Sequence, residues 1–257
     1  MSFAMSSFSL AGKTAIVTGG AKGLCNGMAQ ALHDAGARVV LLDVIDLVHE
    51  SAEKMSTPEA PVWGVQGDLT DTEKLPGVFA ECLDKLGGHL DILLNGAGIQ
   101  FRAPAEDFPL DRWQKVIEVN LSAVFYMAQL AGRQMLKQGG GRIINVASMC
   151  SFFGSVLIPA YSASKGGVAQ LTKALSNEWA GRGVNVNAIA PGYMATELTA
   201  NLKTVNPRQY EEITGRIPAG RWGQPEDLQG IIVFLASEAS AYITGAVIPV
   251  DGGYLGK

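Results

Sequence analysis

Lys13-Thr-Ala-Ile-Val-Thr18 runs without interruption into Gly19-Gly-Ala-Lys-Gly-Leu-Cys-Asn-Gly27. The first six residues are short, apolar and β-branched, the pattern of a strand buried on both faces of a sheet. A helix-length segment, Leu24 to Ala35, takes over inside the glycine run. Strand, glycine-rich turn and helix in that order aim free N–H groups and the positive end of a helix dipole at one point, a seat for a pyrophosphate. Glycines alone are a weak signal; their place directly after a strand gives them meaning.

Outward from that unit the same alternation continues. Further strand candidates are Ala37–Asp43, Val62–Gln66, Leu90–Leu94, Arg142–Ala147, Val184–Ile189 and Ala246–Val250. Helix candidates between them are Glu73–Leu86, Leu110–Lys137, Ala160–Arg182 and Pro225–Ser237. Within the second of these, Trp113, Val116, Ile117, Leu121, Val124 and Ala128 make one apolar stripe that contains a polar Asn120. Alternation over the full length predicts an α/β fold, a doubly wound, seven-stranded parallel sheet of Rossmann type with helices on both faces. No linker, repeat or low-complexity tract divides the chain, so residues 1–257 are expected to form a single dinucleotide-binding and catalytic domain. Asn187 and Pro249 are unusual inside strands, and Pro249 suits an edge.

Composition narrows the function. Twenty Lys plus Arg stand against 24 Asp plus Glu, a formal charge of −4, which argues against a nucleic-acid partner. Hydrophobic residues are 47% and charged residues 17% of the chain, against about 25% charged in typical domains, so a large core can form. No run of apolar residues reaches the length of a membrane span, and Met1–Leu10 lacks the basic start of a signal peptide. Cys25, Cys82 and Cys150 have neither metal spacing nor a pairing pattern; reduced thiols in a cytoplasmic protein are expected, and no metal site.

Ligands of such sheets bind at the carboxyl ends of the strands. Asp43 ends the second strand, 24 residues after Gly19, where an acid accepts hydrogen bonds from the adenosine ribose and repels a 2′-phosphate. Lys22 in the loop pulls the other way, and Asp43 is better placed; NAD is favoured over NADP. Tyr161 and Lys165 stand at i and i+4 on one helix, so they share a face. A phenol titrates near 10, too high for an efficient base, and a neighbouring ammonium lowers it. Ser148, at the end of the fifth strand, can hold a carbonyl or alkoxide oxygen, and Asn120 can line a relay.

With these residues in this order, the sequence resembles the short-chain dehydrogenase/reductase family from Leu10 to Gly256. The motifs are Thr18-Gly19…Gly23, Asp68-Leu69, Asn95…Ala97-Gly98, Asn120, Ser148, Tyr161-Ser-Ala-Ser-Lys165, Asn187-Ala-Ile-Ala-Pro-Gly192 and Asp251-Gly-Gly253. The resemblance implies that Tyr161 is the acid/base. It also implies that Lys165 binds the nicotinamide ribose and lowers the phenol pKa, that Ser148 polarises the substrate, and that Asn120 continues a proton relay. Asp68, with Leu69, would lie along the adenine, Asn95, Ala97 and Gly98 beside the cofactor, and Gly19, Lys22, Gly23 and Leu24 at the phosphates. Pro191 and Gly192 would precede Thr196, which would bond the carboxamide. The C-terminal half is most similar to 2-deoxy-D-gluconate 3-dehydrogenases and ketodeoxyuronate dehydrogenases, through Ile144–Met149, Asn177-Glu-Trp179, Ala190–Thr196 and Ile217–Gly223. Two positions depart from the family: Cys25 and Gly96 stand where Gly and Asn are usual. Cys25 is expected to crowd the pyrophosphate, and Gly96 to remove a brace between central strands.

The expected activity is hydride transfer between a nicotinamide cofactor and a secondary alcohol or ketone, the substrate a small sugar acid or polyol. A 3-oxoacyl thioester or another ketone is the alternative within the fold. A cofactor-binding interaction protein with little turnover is the alternative outside enzymology. Arg102, just beyond the fourth strand, is expected to hold a substrate carboxylate, with residues 193–216 as a lid and Trp222 and Tyr254 over a sugar face. The long helices 110–137 and 160–182 carry enough apolar surface to predict a homotetramer.

Overall fold

The computed structural model describes residues 4–195 and 202–257. Seven parallel strands form one sheet: β1 Thr14–Thr18, β2 Arg38–Asp43, β3 Val62–Gln66, β4 Ile92–Asn95, β5 Gly141–Val146, β6 Val184–Pro191 and β7 Val247–Val250. Their order is β3-β2-β1-β4-β5-β6-β7, so the direction of winding reverses between β1 and β4. That reversal opens a crevice at the carboxyl edge, where the loops after β1 and β4 diverge to opposite faces.

The strands read as continuous apolar runs because each faces two cores. In β1, Ala15 and Val17 join one cluster and Ile16 the other; in β2, Val39 and Leu41 oppose Val40 and Leu42. On the first face lie helix α1 Gly23–Asp34, through Met28, Ala29 and Leu32, and α2 Leu47–Met55, through Val48, Ala52 and Met55. On the second lie α3 Leu75–Lys85, through Leu75, Phe79 and Cys82, and a second group from the connection between β4 and β5. Full burial of one such aliphatic side chain is worth roughly 1.5–3 kcal/mol, so two filled faces hold the sheet flat against its helices.

The apolar stripe of 110–137 does not build one uninterrupted helix. α4 Leu110–Ile117 gives way to a π-helical turn, Glu118–Ser122, before α5 Ala123–Gln138 begins. Asn120 sits inside that turn, fully buried. π turns of this kind occur most often at functional sites. α5 stops at Gly139, which takes the left-handed conformation at φ 94°. α6 Pro159–Trp179 starts with proline in its first turn, and a 3-10 turn, Ala180–Arg182, completes the segment expected as helix.

Helix α2 was not expected from the sequence. Its nine residues are mostly exposed and polar; Val48, Ala52 and Met55 turn inward at the i, i+4, i+7 spacing of a helix, a signal the sequence reading passed over. Past β6 come a single helical turn, Leu202–Val205, then α7 Pro207–Arg216 and α8 Gln229–Ala236. β7 is the edge strand that Pro249 calls for, and Pro249 itself is exposed. The Asn187 side chain explains its place in a strand: its Nδ2 donates to the Ile243 carbonyl at 2.8 Å and its Oδ1 accepts from the Ala246 N–H at 3.1 Å.

Candidate active site

Almost every residue expected at the site ends or follows a strand on the carboxyl edge. Asp43 closes β2, Asn95 closes β4 and Pro191 closes β6. Asp68-Leu69 follows β3, and Ser148 follows β5 and caps a 3-10 turn by accepting the Cys150 N–H at 3.2 Å. Tyr161 and Lys165 occupy the first turns of α6. Thr196 lies outside the described residues.

The loop between β1 and α1 has the form a pyrophosphate needs. Gly19 has φ 70°, and a Cβ there would stand 2.8 Å from the Ala97 Cα, so only glycine lets the two backbones meet. Gly23 has φ 65° with open space beside it. No side chain caps α1, so the N–H groups of its first turn stay available to an anion. Lys22 is exposed at that end and Leu24 is partly buried. The Asp43 carboxylate lies beside the loop, accepting the Ala21 N–H at 3.1 Å and the Ile45 N–H at 3.3 Å. Asp68 is exposed; Thr70 donates to its Oδ1 through both N–H, at 2.8 Å, and hydroxyl, at 2.7 Å, which holds its pKa below the usual carboxylate value. These residues fit a dinucleotide: an open anion seat at a helix N-terminus, with acids placed for ribose and base.

The groups expected to transfer the proton cluster across the crevice. The Ser148 hydroxyl lies beside the Tyr161 phenol. The Lys165 ammonium is buried, donates to the Val146 carbonyl at 2.6 Å and stands 5.7 Å from the centre of the Tyr161 ring. Burial pushes the phenol up to about 12 and the ammonium down to about 8; the Ser148 hydroxyl is what draws the phenol back. In the protein without bound ligand, then, desolvation governs both groups and outweighs the ammonium's expected pull on the phenol.

Asn120 is more tightly held than a relay member needs to be. Its Oδ1 accepts the Ile99 N–H at 2.8 Å, and its Nδ2 donates to the Ile99 carbonyl at 2.9 Å and to Ser164 Oγ at 3.3 Å. Ser164 Oγ in turn donates to the Tyr161 carbonyl at 2.8 Å. The asparagine therefore ties the loop after β4 to the turn of α6 that carries the phenol. Gly98 lies where these groups converge: a Cβ there would be 3.5 Å from Asn120 Oδ1 and 3.7 Å from Lys165 Nζ. Asn95 is buried behind, donating to Asn145 Oδ1 at 3.0 Å, which continues through Asn145 Nδ2 to Thr172 at 3.0 Å. Gly192 packs on Asp251, whose Cα would be 2.7 Å from a Cβ at 192.

Thr18 and Ser164 stand in the sequence motifs without a role of their own; the structure shows both as buried hydroxyls that join elements distant in sequence. Thr18 Oγ1 accepts the N–H groups of Gly96, at 3.0 Å, and Ala97, at 3.3 Å. A polar residue ending an otherwise apolar strand was the available signal. Trp222 and Tyr254 are buried rather than open to a sugar: Trp222 stacks on Tyr210 at 5.0 Å, and Tyr193 lies 5.2 Å from Trp222 and 5.5 Å from Tyr254. Arg102 is exposed on the loop after β4 and has no hydrogen-bond or ion-pair partner among the described residues. Among those residues, too, no helix is long and apolar enough to cross a membrane, and no three metal-ligating side chains stand together.

Comparison with known proteins agrees with this geometry. A family model described as Enoyl-(Acyl carrier protein) reductase matches residues 19–255. The 2-dehydro-3-deoxy-D-gluconate 5-dehydrogenase of Bacillus subtilis (strain 168) is 46% identical over 257 residues, covering 100% of both chains. The enzyme of the same name from Escherichia coli (strain K12) is 44% identical, over 98% of this chain and 99% of its own. Among solved structures, a gluconate 5-dehydrogenase from Burkholderia cenocepacia J2315 in complex with NADP and tartrate superposes with a TM-score of 0.94. It is 36% identical and aligns over 99% of this chain and 100% of its own. The protein is an NAD(P)-dependent oxidoreductase acting on CH–OH groups. By motif order, strand topology and full-length similarity, the chain belongs to the short-chain dehydrogenase/reductase family.

Proposed function

We propose that this enzyme interconverts a hydroxyl and a keto group on a small sugar acid, with NAD as the preferred cofactor. The observation that carries the substrate reading is Arg102: a guanidinium on the loop after β4 with no hydrogen-bond or ion-pair partner among the described residues, in a chain whose net charge is −4. A planar fork that no described residue engages suits a carboxylate. The names of the two dehydrogenases above, and the tartrate in the Burkholderia complex, support an acidic ligand.

The nicotinamide, when bound, supplies the hydride chemistry. Gly19 to Leu24 would hold its phosphates, Asp43 its adenosine ribose, Asp68 and Leu69 its adenine, and Lys165 its second ribose. Asn95, Ala97 and Gly98, with Pro191, Gly192 and Thr196, would line the rest. Tyr161 holds the proton that the substrate oxygen gains or loses, Ser148 orients that oxygen by hydrogen bonding, and Asn120 keeps the loop after β4 in register with α6. The Asp43 carboxylate beside the phosphate loop supports NAD; the exposed Lys22 and the NADP of the Burkholderia complex point to NADP as the competitor. Residues 193–216 are read as the lid; 196–201 lie outside the described residues, and on either side of them Tyr193 and Tyr210 pack on Trp222. The whole is read as one domain, assembled as a homotetramer through exposed apolar side chains such as Leu110, Trp113 and Phe125, and working in the cytoplasm with its three thiols free.

Turnover of Arg102→Ala is to be compared with wild type on a sugar acid and on its uncharged analogue. A loss of about 1.5–3 kcal/mol in transition-state terms on the acid alone is expected for one charged hydrogen bond. Equal losses on both substrates, or none, would remove Arg102 from the site. A wild-type enzyme indifferent to the carboxylate would remove the substrate class.

A further inference from the structure

The loop that leaves β1 and the loop that leaves β4 form a seam at the floor of the crevice, and the seam has three contacts. Thr18 Oγ1 accepts the N–H groups of Gly96 and Ala97. Gly19 rests on the backbone of Ala97. The third contact joins Cys25 and Gly96, the two residues singled out from the sequence as unusual for the family it resembles. A Cβ placed on Gly96 would overlap Cys25 Sγ and come within 3.4 Å of Cys25 Cβ and 3.1 Å of the Thr18 carbonyl oxygen.

Gly96 is not among the residues with positive φ, so its backbone does not call for glycine. The sulfur does. Cys25 is 9% exposed, and its Sγ is turned onto Gly96, toward the sheet. The expected crowding of the pyrophosphate is therefore not where this side chain lies. Burial pushes its thiol up to about 12, which suits a packing group rather than a reactive one.

We infer that Cys25 and Gly96 act as one positioning pair, in which the sulfur sets the spacing between the phosphate loop and the wall of the crevice that carries Gly98, Asn120 and Lys165. The inference rests on the cofactor site proposed above. Gly98 lies two residues further along the loop that Gly96 begins, and Lys165 Nζ stands against it. A side chain added at 96 must push α1 and this loop apart, because packed backbones do not absorb a methyl group without moving. Because Asn120 fastens the loop after β4 to α6, the displacement falls on α1 and the phosphate loop, which widens the cofactor cleft while leaving Tyr161, Ser148 and the first turns of α6 in place. Cofactor affinity should suffer before proton transfer does.

A double-mutant cycle on the full chain tests the pairing: Cys25→Ala, Gly96→Ala and both together, read as the KM for NAD(P) and as kcat at saturating cofactor. Cys25→Ala deletes Sγ and leaves a Cβ at ordinary contact distance. Gly96→Ala alone is expected to raise the cofactor KM about tenfold or more, from the cost of overpacking. Cys25→Ala alone should raise it no more than about threefold, and the double variant should stay within about threefold of Cys25→Ala, because the methyl at 96 then fills the space the sulfur left. Across all four proteins kcat should change by less than about threefold, a split that general loss of structure would not give. Independent, multiplying effects would overturn the pairing, as would a harmless Gly96→Ala. Should Gly96→Ala fail to fold, recovery of folded, active protein in the double variant supports the pairing and equal failure overturns it. Titration calorimetry of wild type with NAD and NADP separates the two readings: no binding defeats the cofactor site, whereas binding with an additive cycle defeats only the pair.

Discussion

Replacing Lys165 by Met should make the ligand-free protein more stable at neutral pH while abolishing its activity. The Lys165 ammonium is 3% exposed and its pKa is pulled down to about 8 by burial, against 10.5 for a free lysine. That gap, at about 1.36 kcal/mol per pKa unit, amounts to about 3 kcal/mol that the folded state gives up to keep the charge inside. Between pH 8 and 10.5 the unfolded chain holds a proton here that the folded protein has released. Stability from this group is therefore fully present above 10.5 and is lost as the pH falls through 8. Methionine keeps the length of the stem and removes the charge. It also removes the donor to the Val146 carbonyl, a loss of about 1 kcal/mol. The net expectation is a gain of about 2 kcal/mol at pH 7, or about 4–8 °C in Tm for a chain of this size. The gain should shrink steadily as the pH rises from 8 to 9.5. Cys82 and Tyr161, each raised to about 12 by burial, titrate alike in both proteins and cancel in the comparison; Cys25, also raised to about 12, is drawn down by the Lys165 charge, so losing that charge moves it further up and leaves it protonated in the folded state of both proteins over this range. Thermal or urea melts of both proteins at pH 7, 8, 9 and 9.5, without cofactor, provide the measurement. A variant less stable than wild type at pH 7, or a difference that does not change with pH, would refute the reasoning.

Tyr161→Phe should lower kcat by about 10²–10⁴-fold, the usual contribution of a general acid–base group, with the melting temperature and cofactor affinity retained; more than a tenth of the wild-type rate would exclude the phenol as the acid. Asp43→Ser should shift the ratio of kcat/KM for NAD over NADP toward NADP by about tenfold or more, as expected when a carboxylate facing a phosphate is removed, and an unchanged ratio would dismiss Asp43 as the discriminator. Gly132→Ala should destabilise the protein by about 1–3 kcal/mol despite alanine's better helix propensity, because overpacking costs that much. The reason is that its Cβ would sit 2.7 Å from the Trp179 ring, where α5 crosses α6. A denaturant midpoint at or above wild type would show that the ring can move aside.

The alternation of apolar runs with helix-length segments was enough to give the seven parallel strands, because a strand covered on both faces has no polar positions to blur its reading. The order of Gly19, Asp43, Ser148, Tyr161 and Lys165 was likewise enough to bring them to one edge, since a doubly wound sheet places every strand end there. Helix α2 was legible but passed over: Val48, Ala52 and Met55 fall at i, i+4 and i+7, in a segment only nine residues long with no side-chain cap to mark its start. The break in 110–137 is invisible in its stripe: a π turn inserts one residue into a pattern that tolerates that drift, and only the hydrogen bonds of Asn120 to Ile99 reveal why it is there. Trp222 and Tyr254 looked like open faces because aromatic residues serve both packing and binding; burial, a property of neighbours far along the chain, decided for packing. Cys25 and Gly96 show the same division most plainly. Each is a separate oddity in sequence, 71 positions apart by their numbers, and each alone argues for damage. Only when β1 and β4 lie side by side do the sulfur and the missing side chain occupy one volume, because close packing is a relation between atoms that the order of residues does not contain.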